Sequence, residues 1–235
     1  EGWMGPLAVR DDCQGAGQGK AIVRAGITHL AAAGCRTIGL ETMPRTVDNI
    51  GFYSALGFVP GAITVTLTLE AGPPTAMRGL LSQVGAADRD AAVDECRALT
   101  AACAPGVDFS REMRLTHELG LGDTLMLRRD GILVAFAVCH AAPLVEGRSR
   151  EELRVLKLVA ADLAAMGALL DPLTALARRS ATARVAIRVQ GNFPDAYARI
   201  ARAGGRVRWT DLRMSLADHP SRAPARGIVF SNWEI

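Results

Sequence analysis

The spacing of apolar residues changes several times along this chain, and each change predicts a new element. Residues 3–9 are apolar with little alternation, which is typical of a strand covered on both faces. Over residues 20–33 apolar positions recur every three or four residues, which predicts an amphipathic helix closed by Gly34. The next runs predict a strand, a short helix and a half-buried strand at residues 37–42, 47–56 and 62–70.

A break follows at residues 71–74, where two prolines and a glycine disfavour both helix and strand. Beyond it the pattern predicts two helices, a hairpin turning at Asp130-Gly131, and then strand, helix, strand, helix, strand. The helix at residue 171 is expected to start with Asp171 as its N-cap and Pro172 at its first position. The predicted elements cover residues 88–103, 110–119, 124–129, 132–140, 153–160, 171–179, 184–190, 194–203 and 206–216.

These patterns predict a division into domains at residues 1–71 and 75–218, joined by the 71–74 linker. Residues 219–235 form a tail whose apolar stretches, 228–230 and 233–235, are too hydrophobic to stay in solvent. We expect this tail to dock as a strand or plug, and we place it on the first domain. Because the chain starts at Glu1 without methionine, we also expect it to be a fragment of a longer protein.

Composition narrows the function classes. The 235 residues are 49% hydrophobic, and no apolar run reaches the length of a bilayer span. The net charge is only +3, and the charged residues are dispersed along the chain. We therefore expect neither a membrane nor a nucleic-acid partner. Five cysteines without Cys-x-x-Cys spacing indicate a reducing, cytoplasmic location, and the four histidines lack metal-ligand spacing. Cys139-His140 lies on a predicted strand, whose neighbours face opposite sides, so we interpret Cys139 as a buried thiol.

The most informative stretch is the glycine loop, residues 14–19, which reads Gln-Gly-Ala-Gly-Gln-Gly between a strand and a helix. Glycines at a helix start leave backbone N–H groups open to a phosphate. A P-loop is excluded, because Gln14 and Ala21 stand where it needs glycine and a hydroxyl. A dinucleotide fingerprint stays open, although the glycines are evenly spaced, since Glu41 stands where a ribose-binding acid would. A plain turn is the third interpretation.

Thirty-odd residues later comes Tyr53-Ser-Ala-Leu-Gly57-Phe58. The glycine loop followed by this motif resembles the acetyl-CoA-binding half of the GCN5-related N-acetyltransferase (GNAT) family. The resemblance implies an α/β (α+β) fold with a mixed central sheet flanked by helices, and an N-acetyltransferase that uses acetyl-CoA. The element order repeats along the chain, so the resemblance also implies a tandem of one partial and one complete domain.

By the same resemblance, Tyr53 is the general acid that reprotonates the departing thiolate, a role suited to a phenol. Glu41 is the candidate general base, with Glu1 a weaker second choice. Thr46 stands seven residues before Tyr53, where the family usually has asparagine, and Asn49 lies nearer. The residues implied to contact acetyl-CoA are Leu7, Ala8, Val9, Gln14, Gly15, Ala16, Gly17, Gln18, Gly19, Lys20, Thr46 and Asn49.

The second domain departs from the same template. After its equivalent strand comes Ala160-Ala-Asp-Leu163, without a glycine cluster and with a carboxylate that would repel pyrophosphate. Ile200 stands where Tyr53 stands in the first domain, so we predict that this domain is degenerate. The expected partner is a small-molecule amine or a peptide, with a homodimer as a further expectation. A non-catalytic acyl-CoA sensor or scaffold is the alternative function.

Overall fold

The computed structural model describes residues 1–143 and 151–233. The helices are α1 Gln18–Ala32, α2 Val47–Ser54, α3 Arg89–Cys103, α4 Ser110–Glu118, α5 Leu163–Ala168, α6 Leu170–Arg179 and α7 Pro194–Arg202. The strands are β1 Gly2–Trp3, β2 Ile38–Thr42, β3 Phe58–Glu70, β4 Gly122–Arg129, β5 Ile132–His140, β6 Glu152–Ala160, β7 Arg184–Gln190, β8 Arg206–Leu216 and β9 Ile228–Ser231.

The chain divides into two compact units. The first unit contains Glu1–Thr64, Thr210–Arg222 and Trp233–Ile235, and the second contains Val65–Trp209 and Ala223–Asn232. The division therefore falls inside β3 and β8, each of which contributes residues to both units. The predicted boundary at residues 71–74 lies just beyond β3, which ends at Glu70, whereas the division between the units falls between Thr64 and Val65.

In the first unit β1 runs parallel to β2, and β2 runs antiparallel to β8. Helix α1 packs against this mixed sheet, because Val23 of the helix shares a core with Leu40 of β2 and Met214 of β8. The core of the unit consists of Val23, Leu40, Phe58, Leu212 and Met214. The helix predicted at residues 20–33 is confirmed as α1.

The strand predicted at residues 3–9 is wrong for most of its length. Within the described residues β1 pairs with β2 only at Gly2↔Ile38 and Trp3↔Gly39, with one further bond from the Met4 amide to the Gly39 carbonyl at 3.0 Å. Residues 5–9 continue outside any ladder, so the two parallel strands diverge. We call this divergence of β1 and β2 the first fork. The sequence does not indicate where the strand leaves its ladder, because the run at residues 3–9 is apolar both before and after the point of divergence.

The second unit holds its strands in the order β3-β7-β6-β5-β4. The β6–β7 pair is parallel, while β4–β5 and β5–β6 are antiparallel, so this sheet is also mixed. Alternate residues of β5 enter two cores on opposite faces, with Ala135 and Ala137 on one side and Phe136 and Val138 on the other. Each unit is thus a mixed sheet with helices against it, and the predicted fold class is confirmed.

A second fork lies between β6 and β7. Their ladder covers only Glu152↔Arg184 to Arg154↔Ala186. Farther along, β6 pairs antiparallel with β9, from Lys157↔Ser231 to Ala160↔Ile228. The tail residues 228–230 therefore dock as a strand, as predicted, and this strand lies on β6 in the second unit, whereas Trp233 belongs to the first unit. Residues 234–235 lie outside the described part of the chain.

The hairpin at Asp130-Gly131 is confirmed by the β4–β5 pairing. The helix start at Asp171 is wrong, because α6 already begins at Leu170 and the short α5 precedes it. Asp162 was expected only to repel an anion; its carboxylate is the N-cap of α5 and accepts a hydrogen bond from the Ala165 amide at 2.7 Å. No helix in residues 1–143 and 151–233 combines the length and hydrophobicity needed to cross a bilayer.

Candidate active site

The glycine loop of the first unit ends at the start of α1. Gly15 and Gly17 have φ angles of 78° and 81°, which side chains with a Cβ rarely adopt. A Cβ at either position would find no atom within 4 Å, so the space in front of the loop is open. Glycine is therefore required here by backbone conformation rather than by crowding.

Gly17 is the N-cap of α1, and no described side chain caps this end of the helix. The first N–H groups of a helix have no intrahelical partner, and they carry the positive end of the helix dipole. The amides of Gln18, Gly19 and Lys20 are therefore available to an anion. The Gln14 side chain makes hydrogen bonds to neighbouring residues instead: its amide donates to the Val9 carbonyl at 3.1 Å and to the Asp11 carboxylate at 2.9 Å.

Charged side chains surround the loop, but two of them are paired. The Arg10 guanidinium bonds the Asp12 carboxylate at 2.6 Å, and this hydrogen bond lowers the pKa of Asp12. Both side chains are exposed, so the pair adds little to stability and mainly offsets one negative charge near the loop. Lys20 is exposed at the first turn of α1. The surroundings of the loop therefore tolerate an anionic ligand.

Leu7, Ala8 and Val9 lie on the segment that leaves the β2 ladder at the first fork. Ala8 is exposed, while Leu7 and Val9 are half-buried. A diverging strand presents backbone N–H and C=O groups that an extended ligand can bind as an added strand does. The fork is thus suited to an extended ligand, although these three residues form no regular strand, and their contact with a pantetheine arm stays a prediction.

Tyr53 lies on α2 between two other aromatic rings. Its ring packs edge-on against Phe52 at 5.1 Å and against Phe58 at 6.0 Å between centroids. The residue is half-buried, and burial raises the pKa of its hydroxyl above the ordinary value of a phenol. The phenol therefore keeps its proton at neutral pH, which a general acid requires.

Phe52 connects α2 to the glycine loop. A Cβ at Gly19 would lie 3.4 Å from Phe52 Cζ and 3.6 Å from Val9 Cγ2, which are ordinary contacts. The start of α1, the diverging segment of the first fork and the aromatic residues of α2 therefore meet at one place. The structure brings together, within the first unit, segments that the sequence separates by more than thirty residues.

The other two predicted ligand residues lie at the start of α2. Thr46 is the N-cap residue, with φ −92° and ψ 81°, and its side chain makes no capping hydrogen bond. The Asn49 amide donates to the Thr42 hydroxyl at 3.4 Å. Asn49 therefore ties α2 to the end of β2, and its role toward a cofactor stays a prediction, as does that of Thr46.

Glu41 occupies a different environment from the one expected of a general base. Its side chain is only 1% exposed. It accepts a hydrogen bond from the Thr64 hydroxyl at 2.6 Å and pairs with Arg213 at 3.0 Å. Arg213 lies opposite Glu41 in the β2–β8 ladder, and its guanidinium stacks on the Trp233 ring at 3.9 Å. These contacts favour a structural role for Glu41 over the predicted catalytic one.

Sequence analysis did not single out Arg213 or Trp233 as partners of this carboxylate. Trp233 is 1% exposed and packs over Gly39, where any side chain would overlap its ring. The apolar tail was the only available signal for Trp233. For Arg213 there was none, because the strand register that sets it opposite Glu41 cannot be inferred from one sequence.

The neighbouring Cys139 and His140 do not form a second site. Cys139 is fully buried, its thiol contacts the Ala137 carbonyl, and burial raises its pKa well above the usual range. His140 Nε2 lies 2.8 Å from the Thr116 hydroxyl. Burial, together with the nearby Arg154 charge, lowers the pKa of His140 to about 4. The interpretation of Cys139 as a buried thiol is confirmed.

Comparison with known proteins agrees with this geometry. Residues 1–58 match the family model described as the acetyltransferase (GNAT) family. The match ends at Phe58, so it includes the glycine loop, the first fork and Tyr53. A comparison with curated proteins finds no match.

Solved structures share the fold at low sequence identity. A candidate acetyltransferase from Pyrococcus horikoshii is 17% identical with a TM-score of 0.62, and the alignment covers 98% of this chain and 70% of that one. A GCN5-related N-acetyltransferase from Sphaerobacter thermophilus is 16% identical, with a TM-score of 0.53 and coverage of 92% and 72%. One from Kribbella flavida is 19% identical, with a TM-score of 0.52 and coverage of 92% and 52%.

Similarity to solved structures at this low sequence identity shows only that the fold is shared. The match to the family model applies to residues 1–58. The glycine loop and the Tyr53 motif are the parts that gave rise to the resemblance in sequence, and the structure adds the uncapped start of α1 and the first fork beside them. Residues 1–58 of this chain therefore match the acetyltransferase (GNAT) family model, and the chain shares the fold of the solved acetyltransferase structures.

Proposed function

We propose that this protein is an acetyl-CoA-dependent N-acetyltransferase whose first unit carries the chemistry. The observation that supports it most is the uncapped start of α1 behind the open turn of Gly15 and Gly17, with Tyr53 on the helix that packs against it. The proposed acceptor is an amine of a small molecule or a peptide. Acetyl-CoA would supply the acetyl group as a thioester.

The residues of the chain have separate tasks in this proposal. The amides from Gly15 to Lys20 bind the diphosphate, because partial positive charge at a helix start favours an anion. Backbone groups of residues 7–9 orient the pantetheine arm as a neighbouring strand would. The Tyr53 hydroxyl holds the proton that the departing thiolate needs, and its half-buried ring keeps that proton on at neutral pH.

The general base is the part that the structure supports least at its predicted position. Glu41 is held by Arg213, which itself stacks on the Trp233 ring, and by Thr64. An amine acceptor must lose a proton before it attacks the thioester, and this carboxylate is already engaged. This observation favours the second candidate function, a non-catalytic sensor or scaffold that binds acyl-CoA without turning it over.

Isothermal titration separates the classes of ligand. We expect acetyl-CoA to bind and NAD not to bind, because the even spacing of the glycines departs from the dinucleotide pattern. Tight binding of NAD without binding of acetyl-CoA would overturn the transferase proposal. Binding of acetyl-CoA with no turnover across a broad panel of amines would favour the sensor.

A tyrosine pair offers a matched test of the chemistry, because the chain has only two tyrosines. Tyr53→Phe is expected to retain acetyl-CoA affinity and to lose most of kcat, on the order of 10²-fold or more, as loss of a general acid does. Tyr197→Phe, on α7 of the second unit, is the control and should leave kcat unchanged. Equal activity of both variants would remove Tyr53 from the mechanism.

A further inference from the structure

The two edges of β6 are occupied in different ways. One edge pairs with β5 along its length, from His140↔Arg154 to Ala135↔Ala160. The opposite edge is shared, because β7 takes residues 152–154 and β9 takes residues 157–160. β9 also contacts β7, so the tail strand fills the second fork. The backbone groups exposed by the divergence are satisfied by the chain itself.

Side chains hold β9 from both faces of the sheet. Ile228 and Phe230 enter one core, where Phe230 is 2% exposed and packs edge-on against Phe193 at 5.4 Å. On the other face the buried ammonium of Lys157 donates to the Ser231 hydroxyl at 2.8 Å and to the Asn232 carbonyl at 3.1 Å. A buried charge is costly unless it is well bonded, so these partners make the position of the tail specific.

The tail also enters the fork at close range. Gly227 has φ 67°, and a Cβ there would overlap the Ala160 carbonyl at the end of β6. Just beyond, the start of α5 is closed by the Asp162 carboxylate, which accepts from the Ala165 amide. In the first unit the corresponding helix start is capped by Gly17 alone. In the second unit, atoms of the chain itself therefore occupy both the fork between the parallel strands and the start of the following helix, the two positions that the first unit leaves open.

We propose that the second fork is a strand-binding cleft whose ligand is the chain's own segment 228–232, and that acetyl-CoA binds only at the glycine loop. The identity of that coenzyme rests on the proposed function above. The chain would then take one coenzyme molecule, not the two that a repeated architecture suggests. The second unit serves as a scaffold in which a peptide strand has the place of a pantetheine arm.

Hydrogen exchange on the whole chain, followed by mass spectrometry with and without acetyl-CoA, tests this assignment. Amides of β9 and of residues 157–160 should exchange slowly in both conditions, because they belong to an interior ladder. Amides of residues 15–20 should exchange more slowly only when acetyl-CoA is present. Rapid exchange of β9, or its release when acetyl-CoA is added, would overturn the proposal.

Native mass spectrometry with acetyl-CoA supplies the stoichiometry. One adduct per chain, weakened in Gly17→Val, supports the proposal. Two adducts, or one whose affinity is unchanged in Gly17→Val, would show that coenzyme binds away from the glycine loop and would overturn it. If neither adduct nor loop protection is seen, the proposed function fails. Slow exchange of β9 would then still support the self-occupied fork, so the two failures are distinguishable.

Discussion

Phe230→Ala tests whether the tail is an interior strand or a loosely attached end. The Phe230 ring is 2% exposed, and it packs against Phe193 in the larger core of the second unit. Replacing a buried phenylalanine by alanine costs about 3–5 kcal/mol, because transfer of the ring and the cavity left behind both count. In a chain of this size about 1 kcal/mol corresponds to about 2–4 °C in Tm. We therefore expect a loss of about 6–20 °C.

Thermal unfolding followed by circular dichroism measures this shift. Ile132→Ala is the control, because Ile132 is 69% exposed on β5 and its loss should change the free energy of unfolding by no more than about 0.5 kcal/mol. Phe230→Leu keeps an apolar side chain in place and should fall between the two. A loss below about 1 kcal/mol for Phe230→Ala, well under the range for a filled core position, would show that β9 does not contribute an interior strand.

Three further changes test other parts of the molecule. Gly17→Val should weaken acetyl-CoA binding by at least about tenfold in titration calorimetry, because a φ angle of 81° disfavours a branched side chain. The control is Gly34→Val, at φ 77° beyond the other end of α1, which introduces the same backbone strain and should bind acetyl-CoA normally. Arg213→Met should lower the free energy of unfolding in urea by about 3–5 kcal/mol because it removes the cation that pairs with the buried Glu41 carboxylate, and adding Glu41→Gln should restore part of the loss. The pKa of His140 is about 4 in the folded chain and 6.5 ordinarily, so between these pH values the unfolded state binds one more proton than the folded state. The contribution of neutral His140 to stability should therefore be fully present above pH 6.5 and be lost as the pH falls toward 4. His140→Gln should flatten that part of a Tm-against-pH curve.

Local signals predicted the glycine loop, α1 and the β4–β5 hairpin. In each case the information lies within a few residues of where it acts: Gly15 and Gly17 set the turn, and Asp130-Gly131 sets the hairpin. Tyr53 is a candidate through a family resemblance carried by six consecutive residues, and its catalytic role stays a prediction. Features of this kind depend on backbone conformation and periodicity, which a single sequence carries.

Features that depend on pairing could not be predicted in the same way. The apolar run at residues 3–9 is the same whether its strand stays in a ladder or leaves it, so the fork after Trp3 was missed. The partner of Glu41 is fixed by the register of β2 with β8, which joins residues 172 positions apart. The tail was expected to dock because it is apolar, but hydrophobicity does not specify the edge on which it docks.

The helix start at Asp162 shows how one residue type supports opposite interpretations. From sequence, its carboxylate was expected only to repel a diphosphate. In the structure the carboxylate accepts a hydrogen bond from the Ala165 amide at the start of α5, so it occupies the position that a bound anion would have there. Both statements follow from the same negative charge at a helix N-terminus, and only the geometry shows that the charge is stabilising there.

The two forks therefore differ in how their exposed backbone is satisfied, not in how they are built. Each consists of two parallel strands that pair over two or three residues and then separate. Separation exposes N–H and C=O groups, and buried groups of this kind require partners. At the second fork β9 provides them, so that this position is not open to a ligand. At the first fork the diverging segment and the uncapped start of α1 leave that requirement to a ligand or to water, and this difference is why we place the chemistry there.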